Sequence, residues 1–202
     1  MIINLILHTM KTENIVLMRK ARESLEGKWD IAIGTFVVYL VLTFFVQLIP
    51  FAGIIIGLFV NGPIAIGLVI FSLSLARNKK AKLEQIFEGF QDYSRAVEAY
   101  ILLFAKVFVW TLLFIVPGVI AALSYAMTYY ILVEDPKIGA MEAIKKSIRM
   151  MEGSKEKLFR LNLRFFGLGL LCILTLGIGF LWLIPYMHVT YAKFYEDIKG
   201  VK

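Results

Sequence analysis

The sequence predicts an all-α protein that crosses a membrane several times, and three observations support this fold class. Hydrophobic residues make up 59% of the 202 residues and charged residues only 18%. The mean hydropathy of +0.77 lies outside the range of soluble domains. Several apolar stretches reach the roughly 20 residues that a helix needs to cross a bilayer. We expect a polytopic bundle of six transmembrane helices in three hairpins, each preceded by a cytoplasmic-side amphipathic helix.

The order of elements indicates a threefold internal repeat, with units at approximately residues 13–80, 81–136 and 137–197. In each unit an amphipathic helix ends in a Glu-Gly pair, and a span, a reversal and a second span follow. The pairs are Glu26-Gly27, Glu88-Gly89 and Glu152-Gly153. Alternatively, the three pairs coincide by chance, since both residue types are common. We interpret residues 10–202 as a single transmembrane domain and residues 1–9 as an upstream start-site artefact or a weakly ordered extension.

The first unit opens with an amphipathic helix over residues 13–29. Its apolar residues recur at steps of three and four, which suits a membrane surface: Ile15, Met18, Ala21, Leu25 and Trp29. A span from about residue 31 to 49 ends in a reversal at Pro50, and a second apolar stretch runs to about residue 76. Proline removes a backbone donor, so we expect a kink or break at Pro63.

The second unit opens with an amphipathic run from Leu83 to Tyr93 and continues as an apolar helix to Val116. The chain is expected to reverse at Pro117 and Gly118 and to return as one helix to residue 136.

The third unit opens with an amphipathic helix whose apolar face contains Ile138, Met141, Ile144, Ile148 and Met151. A span over residues 158–176 leads to a reversal at Gly177 and Gly179. The last span, residues 180–195, contains Pro185, where a kink is expected.

The positions of the charges predict the orientation. Every Lys and Arg except Lys106 lies up to residue 29, within 77–95, within 137–164 or from 193 onward, that is, in the inner segments and the adjoining inner ends of the spans, and the predicted outer turns carry no charge. Positive residues favour the cytoplasm, which predicts a multi-pass plasma-membrane protein with both termini cytoplasmic. Orientation thus explains the net charge of +7, so no nucleic-acid partner is indicated. The basic amphipathic helices are expected to meet anionic lipid headgroups at the cytoplasmic face, either as a binding function or as simple anchoring.

The sequence contains no recognisable catalytic motif. Two histidines and one cysteine, far apart, cannot supply a usual zinc site. A phosphate-binding Gly-rich loop and a nucleophile turn are both absent. We therefore predict no enzymatic activity, no catalytic residue, no metal and no cofactor.

A layer of polar residues is predicted near the middle of the bilayer, as judged by counting residues from the outer turns: Asn61, Lys106, Thr128 and His188. Polar groups at such depth usually face a bundle interior or a wet cavity, so these four form the candidate binding site. Three alternatives stay open. In the first, the long side chain of Lys106 extends its ammonium group to the cytoplasmic surface. In the second, Asn61 only bonds to backbone groups that lose their helical partner at Pro63. In the third, His188 is a neutral histidine bonded to a tyrosine.

Tyrosines crowd the two later return helices, and we expect them to anchor the interface and to bond neighbouring helices: Tyr125, Tyr129, Tyr130, Tyr186, Tyr191 and Tyr195.

The later part of the chain contains a set of residues that recur together in one family: Pro117-Gly118, Tyr125, Met127, Ile131-Leu132, Glu134-Asp135-Pro136, Ala143, Ser147, Met151-Glu152-Gly153, Leu158-Phe159, Gly177-Ile178-Gly179, Pro185-Tyr186 and Phe194-Tyr195. The segment from Arg19 to Trp29 also fits. In these residues the chain resembles the bacterial integral-membrane family catalogued as domain of unknown function 975. That family is related to the membrane domain of some glycerophosphodiester phosphodiesterases. The resemblance implies a polytopic plasma-membrane protein without an assigned activity. It departs at Arg164 and Leu168, where the family more often has a small hydroxyl residue and a tryptophan.

Three functions are compatible with these patterns. The first is a non-enzymatic membrane protein that binds or moves a lipid or small amphiphile, or supports a membrane complex through a membrane-protein partner. The second is a small homo-oligomeric channel or transporter. The third, a membrane-embedded lipid enzyme, is the weakest because only Lys106 and His188 offer acid-base groups in the spans.

Overall fold

The computed structural model describes residues 12–48 and 52–199, which are almost entirely helical. The helices are α1 Asn14–Leu25, α2 Trp29–Gln47, α3 Ala52–Ala76, α4 Gln85–Glu88, α5 Tyr93–Leu113, α6 Ile115–Tyr125, α7 Thr128–Glu134, α8 Ala140–Met150, α9 Lys155–Leu174 and α10 Phe180–Lys199. The predicted all-α class is confirmed for this part of the chain. The predicted extension at residues 1–9 and the reversal at Pro50 lie outside the described residues.

Within the described residues, four helical stretches are long and apolar enough to cross a membrane: Trp29–Val46, Ile56–Ala76, Gln85–Leu113 and Ile115–Glu134. Helix α9 is absent from this group because Lys157, Arg160 and Arg164 lie in its first half. Helix α10 ends in a similarly charged segment. The count of six spans therefore depends on the sequence argument for α9 and α10.

Helix α3 lies at the centre of the bundle, where α2, α5, α7 and α10 all pack against it. Its inward side chains, among them Phe71 and Leu75, are fully buried. The sequence predicts a kink or break at Pro63, and the break does not occur, since α3 is one helix from Ala52 to Ala76. The neighbouring helices hold α3 on both sides of the proline and offset the lost backbone bond.

The run from Leu83 to Tyr93 is not one surface helix, contrary to the sequence prediction. It forms α4 and a 3-10 turn, and both pack against α3. Ile86 is buried, whereas Phe87, Phe90 and Tyr93 are exposed. The close packing depends on Gly89, where any Cβ atom would overlap the carbonyl oxygen of Pro63. The run thus divides its apolar residues between the core and the outer surface.

The chain reverses between α5 and α6 at Phe114, three residues earlier than predicted. Phe114 is the extended residue that separates the two helices. Pro117 lies in the first turn of α6, where a backbone N–H would have no intrahelical acceptor. Gly118 contacts α5 so closely that a Cβ atom would overlap the side chain of Thr111. The Pro-Gly pair therefore packs the hairpin rather than forming its turn.

The return path from the hairpin is divided into α6 and α7, although the sequence predicted one helix. The interruption at Ala126 and Met127 is held by Ser147 of α8. The Ser147 hydroxyl donates to the Ser124 carbonyl oxygen at 2.8 Å and accepts the Met127 N–H at 3.2 Å. A side chain from another helix thus bonds to backbone groups that a continuous helix would pair internally.

The amphipathic helices α1 and α8 both pack against protein. Helix α1 lies on α10, and α8 lies against α5, α6 and α7. After both helices a glycine has a left-handed backbone, with φ +72° at Gly27 and +69° at Gly153. Only glycine adopts such angles without strain. The corresponding Gly89 has a helical φ of −63°, so the Glu-Gly pairs of the first and third units share a conformation that the second lacks.

The third hairpin turns at residues 175–179, where Gly177 has a φ of +85°. Pro185 lies inside α10, which is helical from Phe180 to Lys199. A Cβ atom on Gly179 would meet the Cys172 sulfur at 2.7 Å, closer than side-chain carbons pack. The two helices therefore approach each other tightly just below the turn.

The C-terminal ends of α3, α7 and α10 meet in a cluster of charges around Glu134. Its carboxylate pairs with Arg77 and, at 2.5 Å, with Lys199. It also accepts a hydrogen bond from the Tyr195 hydroxyl at 2.7 Å. Burial alone would lower the pKa of Arg77, but its bonds to Glu196 and Glu134 outweigh burial and raise that pKa. The cluster ties three helices together at the end where the sequence places the cytoplasm.

Candidate functional site

A cavity of about 740 Å³ lies between the helices, within the 300–1,000 Å³ typical of small-molecule sites. It is lined by residues from seven helices: α2, α3, α5, α6, α7, α9 and α10. The cavity therefore forms only when these helices pack together. Its lining consists of Tyr39, Thr43, Asn61, Ala65, Leu68, Val69, Tyr100, Val119, Ala122, Leu123, Ala126, Met127, Tyr129, Tyr130, Leu158, Phe159, Asn162, His188 and Tyr191.

Two hydrogen bonds fix polar groups of the lining in place. The Asn61 side-chain amide on α3 donates to the Tyr100 hydroxyl on α5 at 3.2 Å. The Tyr191 hydroxyl on α10 donates to the Asn162 side-chain oxygen on α9 at 2.7 Å. Both bonds join different helices, so each orients a polar group in the cavity wall and also holds two walls together.

His188 lies on α10 with its ring against Phe36 of α2, and the two ring centroids are 4.7 Å apart. Within residues 12–48 and 52–199 the imidazole has no hydrogen-bond partner. The alternative of a histidine bonded to a tyrosine is therefore not seen here. An imidazole in this position offers a ligand one nitrogen donor and one nitrogen acceptor.

The lining combines aromatic rings with neutral polar groups. Five tyrosines contribute to it: Tyr39, Tyr100, Tyr129, Tyr130 and Tyr191. No Lys, Arg, Asp or Glu is among the lining residues that the structure describes. A buried charge on a ligand would find no ionic partner in such a wall, and this makes a charged ligand costly. The surface suits a molecule that has an apolar body and uncharged hydrogen-bonding groups.

The structure brings together two of the four residues of the predicted polar layer. Asn61 and His188 both line the cavity. Lys106 is half-buried on α5 and does not line it. Thr128 is fully buried at the start of α7, where its hydroxyl donates to the Tyr125 carbonyl oxygen at 2.8 Å. Asn61 bonds to Tyr100, a side chain of another helix, through its amide nitrogen.

Sequence reasoning missed most of the polar groups in this wall. Tyr39, Tyr100 and Asn162 were not singled out, and Tyr129, Tyr130 and Tyr191 were expected to serve as anchors. One signal was available for Asn162, a neutral amide that lies between Leu161 and Leu163 within the third hairpin. No comparable signal marked the tyrosines, since anchoring and cavity-lining tyrosines look alike in a sequence.

Most of the family-motif residues hold the frame around the cavity. Ser147 holds the α6–α7 interruption, and Glu134 with Tyr195 joins two helix ends. The Tyr186 ring packs edge-on against Phe165, with centroids 5.7 Å apart. Pro136 lies two residues after the end of α7, and Gly153 lies in the turn after α8 with a left-handed backbone. These positions set the geometry of the bundle.

The described ranges, 12–48 and 52–199, contain no group of three or more His, Cys, Asp or Glu side chains placed to hold a metal ion. Comparison with known families gives one match: residues 93–202 match the family described as "Protein of unknown function (DUF975)". Neither the curated proteins nor the solved structures contain a match. The family match covers α5 to α10 and so includes all the motif residues above from Tyr125 onward.

Proposed function

The chain belongs to the DUF975 family of proteins of unknown function, and because no activity is assigned there, we propose a function from the cavity. We propose a non-enzymatic membrane protein that binds a small, uncharged amphiphile or lipid inside its helical bundle. The observation that supports this most is the composition of the cavity wall, which pairs a large apolar surface with neutral hydrogen-bonding groups.

The unfilled volume of the cavity and the polar groups around it favour ligand binding over a purely structural role. A bundle selected only for stability would fill such a space, because each void loses packing contacts. Here four polar side chains that border it are held in place by bonds between helices, Asn61 with Tyr100 and Asn162 with Tyr191. Preorganised polar groups beside an apolar volume are the usual composition of a ligand site.

We propose that this bundle lies in the plasma membrane with both termini in the cytoplasm. The supporting observations are four helices of sufficient length and the charge distribution of the chain. In this arrangement α9 and α10 form the fifth and sixth spans, and the three units descend from one ancestral hairpin. The shared left-handed glycines, Gly27 and Gly153, support the repeat for the first and third units.

Equilibrium binding of radiolabelled 1-monooleoylglycerol to the purified protein in detergent tests the proposed function. Ala65→Phe places a ring in the cavity from α3, and we expect the affinity to fall by about tenfold or more. Ala105→Phe makes the same change on the exposed side of α5 and is expected to bind as the wild type does. Oleate, which carries a charge, should bind more weakly than the glycerol ester. Equal binding by both variants would contradict the proposal.

A transporter is the second candidate, and the interruption between α6 and α7 favours it. Interrupted helices often border the substrate sites of membrane transporters, and Ala126 and Met127 at this interruption line the cavity. A transporter would move the bound amphiphile between leaflets of a liposome. Binding without any such movement would leave the protein as a carrier or sensor rather than a transporter.

A further inference from the structure

A second cleft lies on the outside of the bundle, where α1 crosses the α9–α10 pair. It is a groove of about 550 Å³ lined by Ile15, Met18, Arg19, Arg22, Arg164, Gly167, Leu168 and Tyr186. None of these residues lines the central cavity. A test of the groove is therefore independent of the function proposed above.

Three arginines from two helices converge on this groove. Arg22 on α1 and Arg164 on α9 form no ion pair with any residue in the described part of the chain, and both are exposed. Arg19 has one partner, Glu23, at 3.8 Å on the surface of α1. The guanidinium groups of Arg22 and Arg164 therefore lie near each other without a counter-ion from the described part of the chain. Because like charges repel, an anion bound between them would be favourable. One guanidinium group can donate two parallel hydrogen bonds to the oxygens of one phosphate, so a phosphate group is the ligand that best fits these arginines.

The groove lies at the boundary between charged and apolar surfaces. Arg164 is the last charged residue of α9, and residues 165–174 that follow carry no charge. Beyond it the outer face is apolar, with Phe166, Leu170 and Leu171 exposed. On helix α1, Ile15 and Met18 add apolar side chains to the lining of the groove. A molecule bound here would place its charged part at the arginines and its apolar part along α9.

We infer that this groove binds an anionic phospholipid, with its phosphate between Arg22 and Arg164 and its acyl chains along Gly167 and Leu168. The excess of positive charge selects an anionic headgroup, because a zwitterionic headgroup would bring an ammonium group close to the arginines. The Tyr186 hydroxyl supplies a further hydrogen bond to the headgroup.

Gly167 provides a direct probe of the groove. No atom lies within 4 Å of the position that its Cβ would occupy, so a larger side chain would extend into the groove without displacing the protein. Gly34 on α2 has the same open surroundings. Gly167→Leu and Gly34→Leu are therefore a matched pair, and both replace a helical glycine by a better helix former.

Native mass spectrometry of the delipidated protein, titrated with phosphatidylglycerol and separately with phosphatidylcholine, measures the binding. Arg22→Gln with Arg164→Gln should weaken phosphatidylglycerol binding about fivefold for each arginine removed. Gly167→Leu should weaken it as well. Arg160→Gln, which removes a charge one turn earlier on α9 where Arg160 pairs with Glu156 at 2.6 Å, should leave it unchanged, as should Gly34→Leu.

Three results would overturn the inference. Equal losses in Arg160→Gln and in the double variant would mean a general attraction of the surface for anions. Equal affinities for the two lipids in the wild-type protein would remove the headgroup selection. Competition by inorganic phosphate at concentrations similar to those of the lipid would assign the site to a free anion. Thermal unfolding of each variant separates lost binding from lost folding.

Discussion

Asn61 and Tyr100 join the central helix α3 to α5 inside the cavity, through a hydrogen bond of 3.2 Å from the side-chain amide to the phenol oxygen. The bond lies next to Gly62, whose lack of a side chain allows α5 to approach α3 at Ala96. One contact thus fixes the spacing of two helices and presents two polar groups to the cavity.

A double-mutant cycle should detect this bond as a coupling energy. We expect Asn61→Leu and Tyr100→Phe each to lower the free energy of unfolding, with an interaction of about 0.6 kcal/mol, the average found for side-chain bonds within membrane proteins. Reversible unfolding in mixed micelles measures each variant. Purely additive single and double variants would mean that the two side chains do not interact in the folded protein.

Ser147 should contribute strongly to stability despite its small size. Ser147→Ala leaves the Ser124 carbonyl and the Met127 N–H without their partner at a buried position. Leaving buried polar groups unpaired costs about 1–3 kcal/mol each. Thermal unfolding in detergent should show a clear loss for this variant and almost none for Ser94→Ala, which is exposed on α5. Equal unfolding temperatures for the two variants would contradict the role assigned to Ser147.

Glu134 should hold the inner ends of three helices together. Glu134→Gln removes its ion pairs with Arg77 and Lys199 but keeps an acceptor for Tyr195. Since the carboxylate is 17% exposed, we expect a loss of about 1–2 kcal/mol, between the values for surface and buried pairs. Glu156→Gln disrupts the exposed pair with Arg160 and should cost less than about 1 kcal/mol. Similar losses in both variants would argue against the cluster.

Cysteine labelling should decide the number of spans. In a Cys172→Ala background, Val116→Cys and Ile178→Cys place single thiols at exposed positions near the α5–α6 and α9–α10 turns. A membrane-impermeant maleimide should label both in intact cells, and Lys80→Cys only after permeabilisation. Labelling at Val116 without labelling at Ile178 would show that α9 and α10 do not cross the membrane, leaving the four stretches that meet the length requirement.

Composition and hydrophobic periodicity were sufficient to predict the fold class and most helices, because a long apolar stretch has few stable alternatives in a bilayer. They failed where contacts between distant segments decide the local structure. Pro63 does not break α3, since neighbouring helices support it. The α6–α7 interruption depends on Ser147, whose two bonded partners lie 20 and 23 residues away in sequence. Neither outcome is encoded within one helical turn.

The candidate site was predicted in part. Asn61 and His188 were found because polar residues are conspicuous in an apolar span, and both line the cavity. Lys106 is equally conspicuous but lies elsewhere, because depth in the membrane does not determine which side of a helix a residue occupies. Tyr39 and Tyr100 escaped notice since tyrosine is common in membrane proteins. Identifying them required the packing of α2 and α5 around α3.

The most direct test of the central claim is native mass spectrometry of the wild-type protein purified from its membrane in a mild detergent. We expect one uncharged amphiphile bound per chain, retained by Ala105→Phe and lost from Ala65→Phe, whose added ring occupies the cavity. Wild-type protein that carries no such molecule and fails to bind added 1-monooleoylglycerol would contradict the claim. So would a bound molecule that is retained equally by both variants.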